Sequence, residues 1–208
     1  RVMFSVLTKF IADRPALRML AQNLYCYISR RIVLLPPLGV ALELTYACNW
    51  RCQMCFHHRP AVHEEMARTI SRRKSEELTA KEIKHLVDDL AGMGVRHLSL
   101  HGGEPLIRPE FCEILEYAAA RGLHVSTVTN ATLITEKVAE TLVRFMPDLY
   151  VSIHGGEKTN DVVTGIPGSY LKSMAGVRLL QQVKKRLGSE TPRIHLGCVV
   201  SGVNVENL

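Results

Sequence analysis

In the stretch Val40-Ala41-Leu42-Glu43-Leu44-Thr45-Tyr46-Ala47-Cys48-Asn49-Trp50-Arg51-Cys52-Gln53-Met54-Cys55, a strand-like run leads into three cysteines spaced C-x3-C-x2-C. Three thiolates in one tight loop make a soft-ligand site, suited to zinc or to an iron–sulfur cluster. A cube of four irons bound by three cysteines leaves one iron without a protein ligand, open to a small molecule. Zinc would need a fourth donor, and His57, His58 and His63 are candidates. Zinc sites usually combine two short knuckles from separate segments, which favours the cluster, but spacing alone leaves both readings open. Cys112 and Cys198 read as buried small hydrophobes on a helix face and on the apolar side of a strand.

Outward from that loop, strand-like and helical runs alternate. Thr79-Ala80-Lys81-Glu82 has the form of a capping box, and Ile83, Leu86, Val87 and Leu90 follow at helical spacing until Gly92 and Gly94. A second strand, His97–His101, ends in Gly102-Gly103-Glu104-Pro105, and Pro109 suits a first helical position before Phe111, Ile114, Leu115 and Ala118. The third strand is His124–Thr129. Thr135 caps a helix with Val138, Leu142 and Val143, stopped by Pro147. A fourth strand, Leu149–His154, leads to a Gly-rich loop. A helix from Tyr170 to Leu187 and a fifth strand, Ile194–Val200, follow.

This alternation predicts parallel strands joined by right-handed crossovers. Within the strands Leu98, Leu100, Leu149, Val151, Ile153, Ile194 and Leu196 fall on one face. His97, Ser99, His101, Ser152, His154, His195 and Gly197 fall on the other. Strands covered by helices on both sides would be apolar throughout. A polar second face predicts instead a curved sheet holding a ligand at its C-terminal strand ends. The fold class is therefore α/β, a partial (β/α) barrel. Before it, Leu17, Leu20, Ala21, Leu24 and Ile28 form a helical stripe and Pro36-Pro37 a linker, giving a helical extension over 1–37 and a barrel over 38–208. The stripe reads as packing against the barrel; Arg14, Arg18, Arg30 and Arg31 beside it make membrane-surface binding the alternative.

Composition excludes other classes. Apolar residues make up 47% and charged residues 22% of the 208, an ordinary globular balance. No apolar run reaches the ~18 residues of a membrane span. The net charge of +6 is dispersed and aromatics are only 6%, which argues against a nucleic-acid platform. Cysteine usage and the lack of a signal peptide predict a reducing, cytoplasmic setting. No nucleophile elbow and no G-x-G-x-x-G motif are present, so a serine hydrolase or a Rossmann dehydrogenase is unsupported. The chain opens on Arg1 and stops after the fifth strand, so it reads as truncated.

The C-x3-C-x2-C motif with Phe56 behind it, together with Gly102-Gly103-Glu104-Pro105 at the second strand's end, resembles the radical S-adenosylmethionine (SAM) superfamily, including its SPASM-type peptide maturases. The resemblance covers Val40 to Leu208. It implies that Cys48, Cys52 and Cys55 hold a [4Fe–4S] cluster whose fourth iron binds SAM through its amino and carboxylate groups. Gly102, Gly103 and Glu104 would receive the methionine ammonium, Ser152 the ribose and Val200 the adenine side. Asn130 matches a motif in which Ala131 stands for the usual glycine. His154 stands where an Asp is common, and reads either as substrate-facing or as a satisfied strand-end histidine. The implied activity is reductive cleavage of SAM and hydrogen abstraction from a peptide or small metabolite, with an electron donor such as flavodoxin or ferredoxin. A zinc-binding interaction module using the same cysteines is the alternative. Arg72-Arg73-Lys74 reads as a solvated charge run rather than a contact for an acidic partner.

Overall fold

The computed structural model describes residues 24–25, 27–29, 37–55 and 77–207. His57, His58, His63, Phe56, Arg72-Arg73-Lys74, the arginines flanking the N-terminal stripe and most of that stripe lie outside the described residues. By backbone contacts the chain divides into Arg1–Pro37 and Leu38–Leu208. In the first unit Leu24, Tyr25, Tyr27 and Ile28 are helical.

The second unit runs β1 (Gly39–Glu43), α1 (Ala80–Met93), β2 (His97–His101), a 3-10 turn at Pro105–Ile107, α2 (Phe111–Ala120), β3 (His124–Thr129), α3 (Glu136–Phe145), β4 (Asp148–Ser152), α4 (Glu157–Thr164), α5 (Ser169–Leu187), β5 (Arg193–Gly197) and a 3-10 turn at Val205–Asn207. All neighbouring strands pair in parallel, in the order β1-β2-β3-β4-β5. Adding each strand at the same edge through right-handed crossovers places the helices on one face and lets the sheet curl, which is the partial barrel. Among the described residues no helix is long and apolar enough to cross a membrane.

The apolar face is the core. Leu98, Leu100, Val125, Leu149 and Val151 are fully buried against Ile83 and Val87 of α1, Ile114 and Leu115 of α2, Leu142 of α3 and Leu180 of α5. Local signals set the helices. Thr79 caps α1 reciprocally: its hydroxyl accepts from Glu82 N–H while its own N–H donates to the Glu82 carboxylate at 2.8 Å, and Gly94 closes the helix at φ 88°. Thr135 caps α3 through the Val138 N–H.

Several predicted boundaries move, each for a local reason. β1 stops at Glu43 rather than Tyr46, because the Tyr46 N–H and the Thr45 hydroxyl turn to the Glu77 carboxylate, at 2.8 and 2.9 Å. β4 stops at Ser152 rather than His154, whose N–H goes to the Asn160 side chain at 2.8 Å. β5 stops at Gly197 rather than Val200, because the Val199 N–H leaves the ladder for the His154 ring. Cys198 is consequently exposed instead of buried, and Leu196 is 68% exposed at the sheet edge. Cys112 is partly buried against the core. α2 begins at Phe111, leaving Pro109 in the preceding turn. The predicted Gly-rich loop contains α4, whose apolar residues are too few to show a helical period.

Candidate active site

One cavity opens at the C-terminal strand ends, lined by Cys48, Trp50, Cys52, Cys55, His101, Gly102, Gly103, Glu104, Val128, Thr129, Asn130, Ser152 and His154. It brings together every predicted site residue except Val200, which lies beyond β5, is 59% exposed and stays outside the lining.

The cysteine loop is held from three sides. From β2, Gly103 N–H donates to the Thr45 carbonyl and Glu104 N–H to that of Ala47, each at 2.8 Å, continuing the Leu44-to-His101 ladder past the end of β1. This close approach requires both glycines. A Cβ on Gly102 would sit 2.4 Å from the Thr45 oxygen, one on Gly103 2.3 Å from the Ala47 oxygen, and Gly102 also has φ +147°. From α4, the last carbonyls accept from the loop: Thr164 from Arg51 N–H at 3.0 Å, Val163 from Gln53 N–H at 2.9 Å, and Val162 from the Gln53 amide at 3.0 Å. A helix C-terminus leaves carbonyls without internal partners, and here the loop supplies the donors. From β3, the Asn130 amide donates to Asn49 Oδ1 at 2.7 Å, and Asn49 Nδ2 donates to Thr132 Oγ1 at 2.8 Å. Asn49, Thr132 and the fully buried face of Trp50 were not singled out in the sequence. Asn and Thr in a loop carry no periodic signal, and the pairing spans 81 residues.

Burial pushes the Cys48 thiol up, against the Trp50 N–H that its sulfur accepts at 3.4 Å, with the Glu104 charge adding to the rise. Cys52 is pushed up to about 12, first by burial and then by Cys48 and Cys55. Cys48 and Cys52 are therefore held protonated, and any metal they bind must displace protons.

Glu104 is only 1% exposed. Its carboxylate accepts from Thr129 Oγ1 at 2.7 Å, Asn130 N–H at 2.8 Å and Leu106 N–H at 3.1 Å. All three donors are neutral, and among the described residues no cationic side chain pairs with it. Burial therefore pushes its pKa up, with the three hydrogen bonds opposing. A carboxylate has about four acceptor directions, so one remains for a donor arriving from the cavity. Asn130 is more committed than predicted: its oxygen accepts from Thr132 N–H and Oγ1 while its nitrogen holds Asn49. Ala131 takes the left-handed conformation of the usual glycine, φ 61°, at a cost of roughly 1–2 kcal/mol.

His101 and His154 both lie in the lining, and burial lowers the pKa of each, with the Glu43 charge opposing at His101. His101 Nε2 is 2.7 Å from Ser99 Oγ.

The family model described as Radical SAM superfamily matches residues 42–206. The chain is 38% identical over 148 residues to an AdoMet-dependent heme synthase of Methanosarcina barkeri, covering 70% of this chain and 40% of that protein. It is 33% identical over 174 residues to the mycofactocin maturase MftC of Mycolicibacterium smegmatis, covering 83% of this chain and 40% of the relative. Among solved structures, Streptococcus suis SuiB bound to its precursor peptide SuiA matches with TM-score 0.65 at 17% identity, over 89% of this chain and 38% of that one. The anSMEcpe structure with bound AdoMet and a peptide matches with TM-score 0.63 at 21% identity, over 82% and 46%. The chain thus spans less than half the length of these relatives. With the family model covering most of the barrel, the chain belongs to the radical SAM superfamily, and SPASM-type peptide maturases are among its homologues.

Proposed function

We propose that this protein binds a [4Fe–4S] cluster through Cys48, Cys52 and Cys55 and cleaves SAM reductively to abstract hydrogen from a peptide or small-metabolite substrate. The observation that carries it is the pairing, on one cavity, of three thiols with a buried carboxylate that no cationic side chain among the described residues pairs with. Among the described residues no three His, Cys, Asp or Glu side chains converge on a point that one ion could share. Cys52 lies within charge range of both Cys48 and Cys55, and in a cube each thiolate meets a different iron, so three crowded thiols beside a buried acceptor suit a cluster whose fourth iron is left for a small molecule. When bound, the cluster supplies the one-electron reduction that releases a 5′-deoxyadenosyl radical from SAM.

The chain's own residues position and shield. Glu104 offers its remaining acceptor direction to the SAM ammonium, a charge-assisted contact that also relieves its uncompensated burial. The backbone carbonyls of Gly102 and Gly103, which line the same cavity, would accept from the same group. Asn130 fixes Asn49 and so the loop. Ser152, at the end of β4, presents its hydroxyl to the ribose, and Val200, beyond β5 and outside the cavity lining, is assigned the adenine side. Residues 38–208 serve as the catalytic barrel and 1–37 as a separate N-terminal unit. The relatives' names, a maturase and a heme synthase, keep the substrate at peptide or small metabolite. A cytoplasmic setting with a flavodoxin- or ferredoxin-type donor suits free thiols and a reducible cluster.

Anaerobic reconstitution tests this. The expected result is about four irons per chain and release of 5′-deoxyadenosine from SAM under dithionite, with Cys52→Ala losing both. Glu104→Gln keeps the iron but binds SAM at least tenfold more weakly. A colourless protein that retains one zinc and releases no 5′-deoxyadenosine overturns the proposal.

A further inference from the structure

On the polar face of the sheet the parallel register sets side chains from all the strands in one row: Glu43 of β1, His101 of β2, Val128 of β3, Tyr150 of β4 and His195 of β5. None of them belongs to the core that the other face builds. Val128 is 36% and Tyr150 41% exposed, although β3 and β4 are interior strands. His101 and Val128 also line the cavity at the strand ends. Tyr150 and His195 lie outside that lining, with Tyr150 two residues before Ser152 on β4. The row thus extends the cavity toward the strands' N-terminal ends by ~7 Å, at a rise of ~3.3 Å per residue.

The Tyr150 ring is backed from one side. It stacks on the His195 imidazole with centroids 4.7 Å apart and an interplanar angle of 18°. That imidazole is itself held, because its Nε2–H donates to Asp148 Oδ1 at 2.9 Å, and the Arg193 guanidinium grips Asp148 at 2.8 and 2.9 Å. One face of Tyr150 is thereby spent and the other is open, a rigid π surface that needs little ordering on binding. The polar groups around it are already matched. Asp148 and Arg193 neutralise each other, and Ser126 Oγ donates at 3.1 Å to Ser99 Oγ, which lies 2.7 Å from His101 Nε2. Among the described residues the unpaired charge on this face is Glu43, three strands away from Tyr150. An occupant beside Tyr150 therefore meets a ring face and an aliphatic wall rather than an ion-pair partner.

We infer that the open face of Tyr150, with Val128 beside it, is a substrate subsite for an uncharged planar aromatic ring, carried by a peptide side chain or by a small metabolite. This rests on the proposed function and narrows its substrate class. Two rings in contact gain stabilisation beyond the area they bury, which an aliphatic group of the same size does not. The placement suits hydrogen abstraction. A ring laid on Tyr150 lets the carbon bonded to it reach over Val128, and Val128 lines the cavity in which SAM is proposed to sit. The adenine of SAM is not this occupant, because Tyr150 stands outside the lining that gathers the cysteines, Glu104 and Ser152.

The test is calorimetric binding to anaerobically reconstituted protein loaded with SAM. The probes are glycyl-tyrosyl-glycine with blocked ends, its leucyl counterpart, and p-cresol, the bare ring. Wild-type protein is expected to bind the tyrosyl peptide or p-cresol at least about tenfold more tightly than the leucyl peptide. Tyr150→Leu, which keeps apolar bulk without a π face, should reduce that preference to within about threefold, whereas Tyr150→Phe should retain it. A tyrosyl peptide bound more tightly than p-cresol assigns the ring to a peptide side chain, and equal binding assigns it to a small metabolite. No aromatic preference in wild type, no binding of any probe, or a preference that survives Tyr150→Leu overturns the inference. So does a SAM Kd weakened in Tyr150→Leu, since the ring would then serve SAM. Wild-type protein that carries a cluster yet releases no 5′-deoxyadenosine overturns the proposed function instead, a result read before any probe is added.

Discussion

A methyl group on Gly103 would stand 2.3 Å from the Ala47 carbonyl oxygen, with backbone on both sides and no flexible side chain to yield. Gly103→Ala should therefore push the cysteine loop off β2. We expect a loss of at least about 2 kcal/mol in urea unfolding, together with less iron bound per chain. Gly92→Ala is the contrast: nothing lies within 4 Å of its added carbon, and in helix α1 alanine should raise stability by up to ~1 kcal/mol. At this scale the sequence offered candidates by type, namely thiols, an acid and paired glycines, and the structure gathers them on one cavity. The sequence did not show why the glycines are needed. Their neighbours are Thr45 and Ala47, more than fifty residues earlier, and only folded coordinates set that approach. Nor did it show that Asn130 is largely occupied by Asn49 and Thr132.

Elements with a strong period were legible; those held by tertiary hydrogen bonds were not. Helices α1, α3 and α5 announce themselves by caps and apolar spacing. Helix α4 has two valines and polar neighbours, and it is fixed by what lies outside it. Its Asp161 carboxylate accepts from Tyr170 N–H at 3.0 Å and Ser169 Oγ at 2.8 Å, capping the start of α5 from a distance. Asp161→Ala should cost about 1–2 kcal/mol of thermal stability and, because the end of α4 carries the cysteine loop, speed the loss of iron to a chelator. Helix α5 comes so near the segment that follows β3 that a Cβ on Gly176 would meet the Ala131 oxygen at 2.0 Å. Gly176→Ala should destabilise by more than about 2 kcal/mol despite alanine's better helix propensity, read as a lowered Tm, since contact with backbone outweighs propensity.

For the whole sheet, Asp148 is a tie across three strands. It accepts from Arg193 of β5 at 2.8 and 2.9 Å and lies 3.0 Å from His124 Nε2 of β3 and 2.9 Å from His195 Nε2 of β5. The Arg193 guanidinium foremost, then His195, holds its carboxyl well below the usual carboxylate range. A depressed folded pKa contributes stability above the unfolded value of ~3.9 and loses it as pH falls below. Wild-type urea midpoints should thus drop more steeply from about pH 5 to 2 than those of Asp148→Asn, and the gap between the two should close in acid. The polar face that carries this cluster was legible from alternation alone. The sheet edge was not, because Leu196 looks like core by pattern yet has no helix over it among the described residues.

The anchoring of the cysteine loop also has a consequence in time. A ribosome makes Cys48 to Cys55 first, yet the acceptor of the Gln53 amide, the Val162 carbonyl, lies 109 residues downstream. At ~5–20 residues per second that is a wait on the order of ten seconds, during which nascent thiols stand without their scaffold. Iron delivered to an unfinished chain would meet the proposed ligands without their enclosure, so assembly of the proposed centre is expected to follow translation through α4.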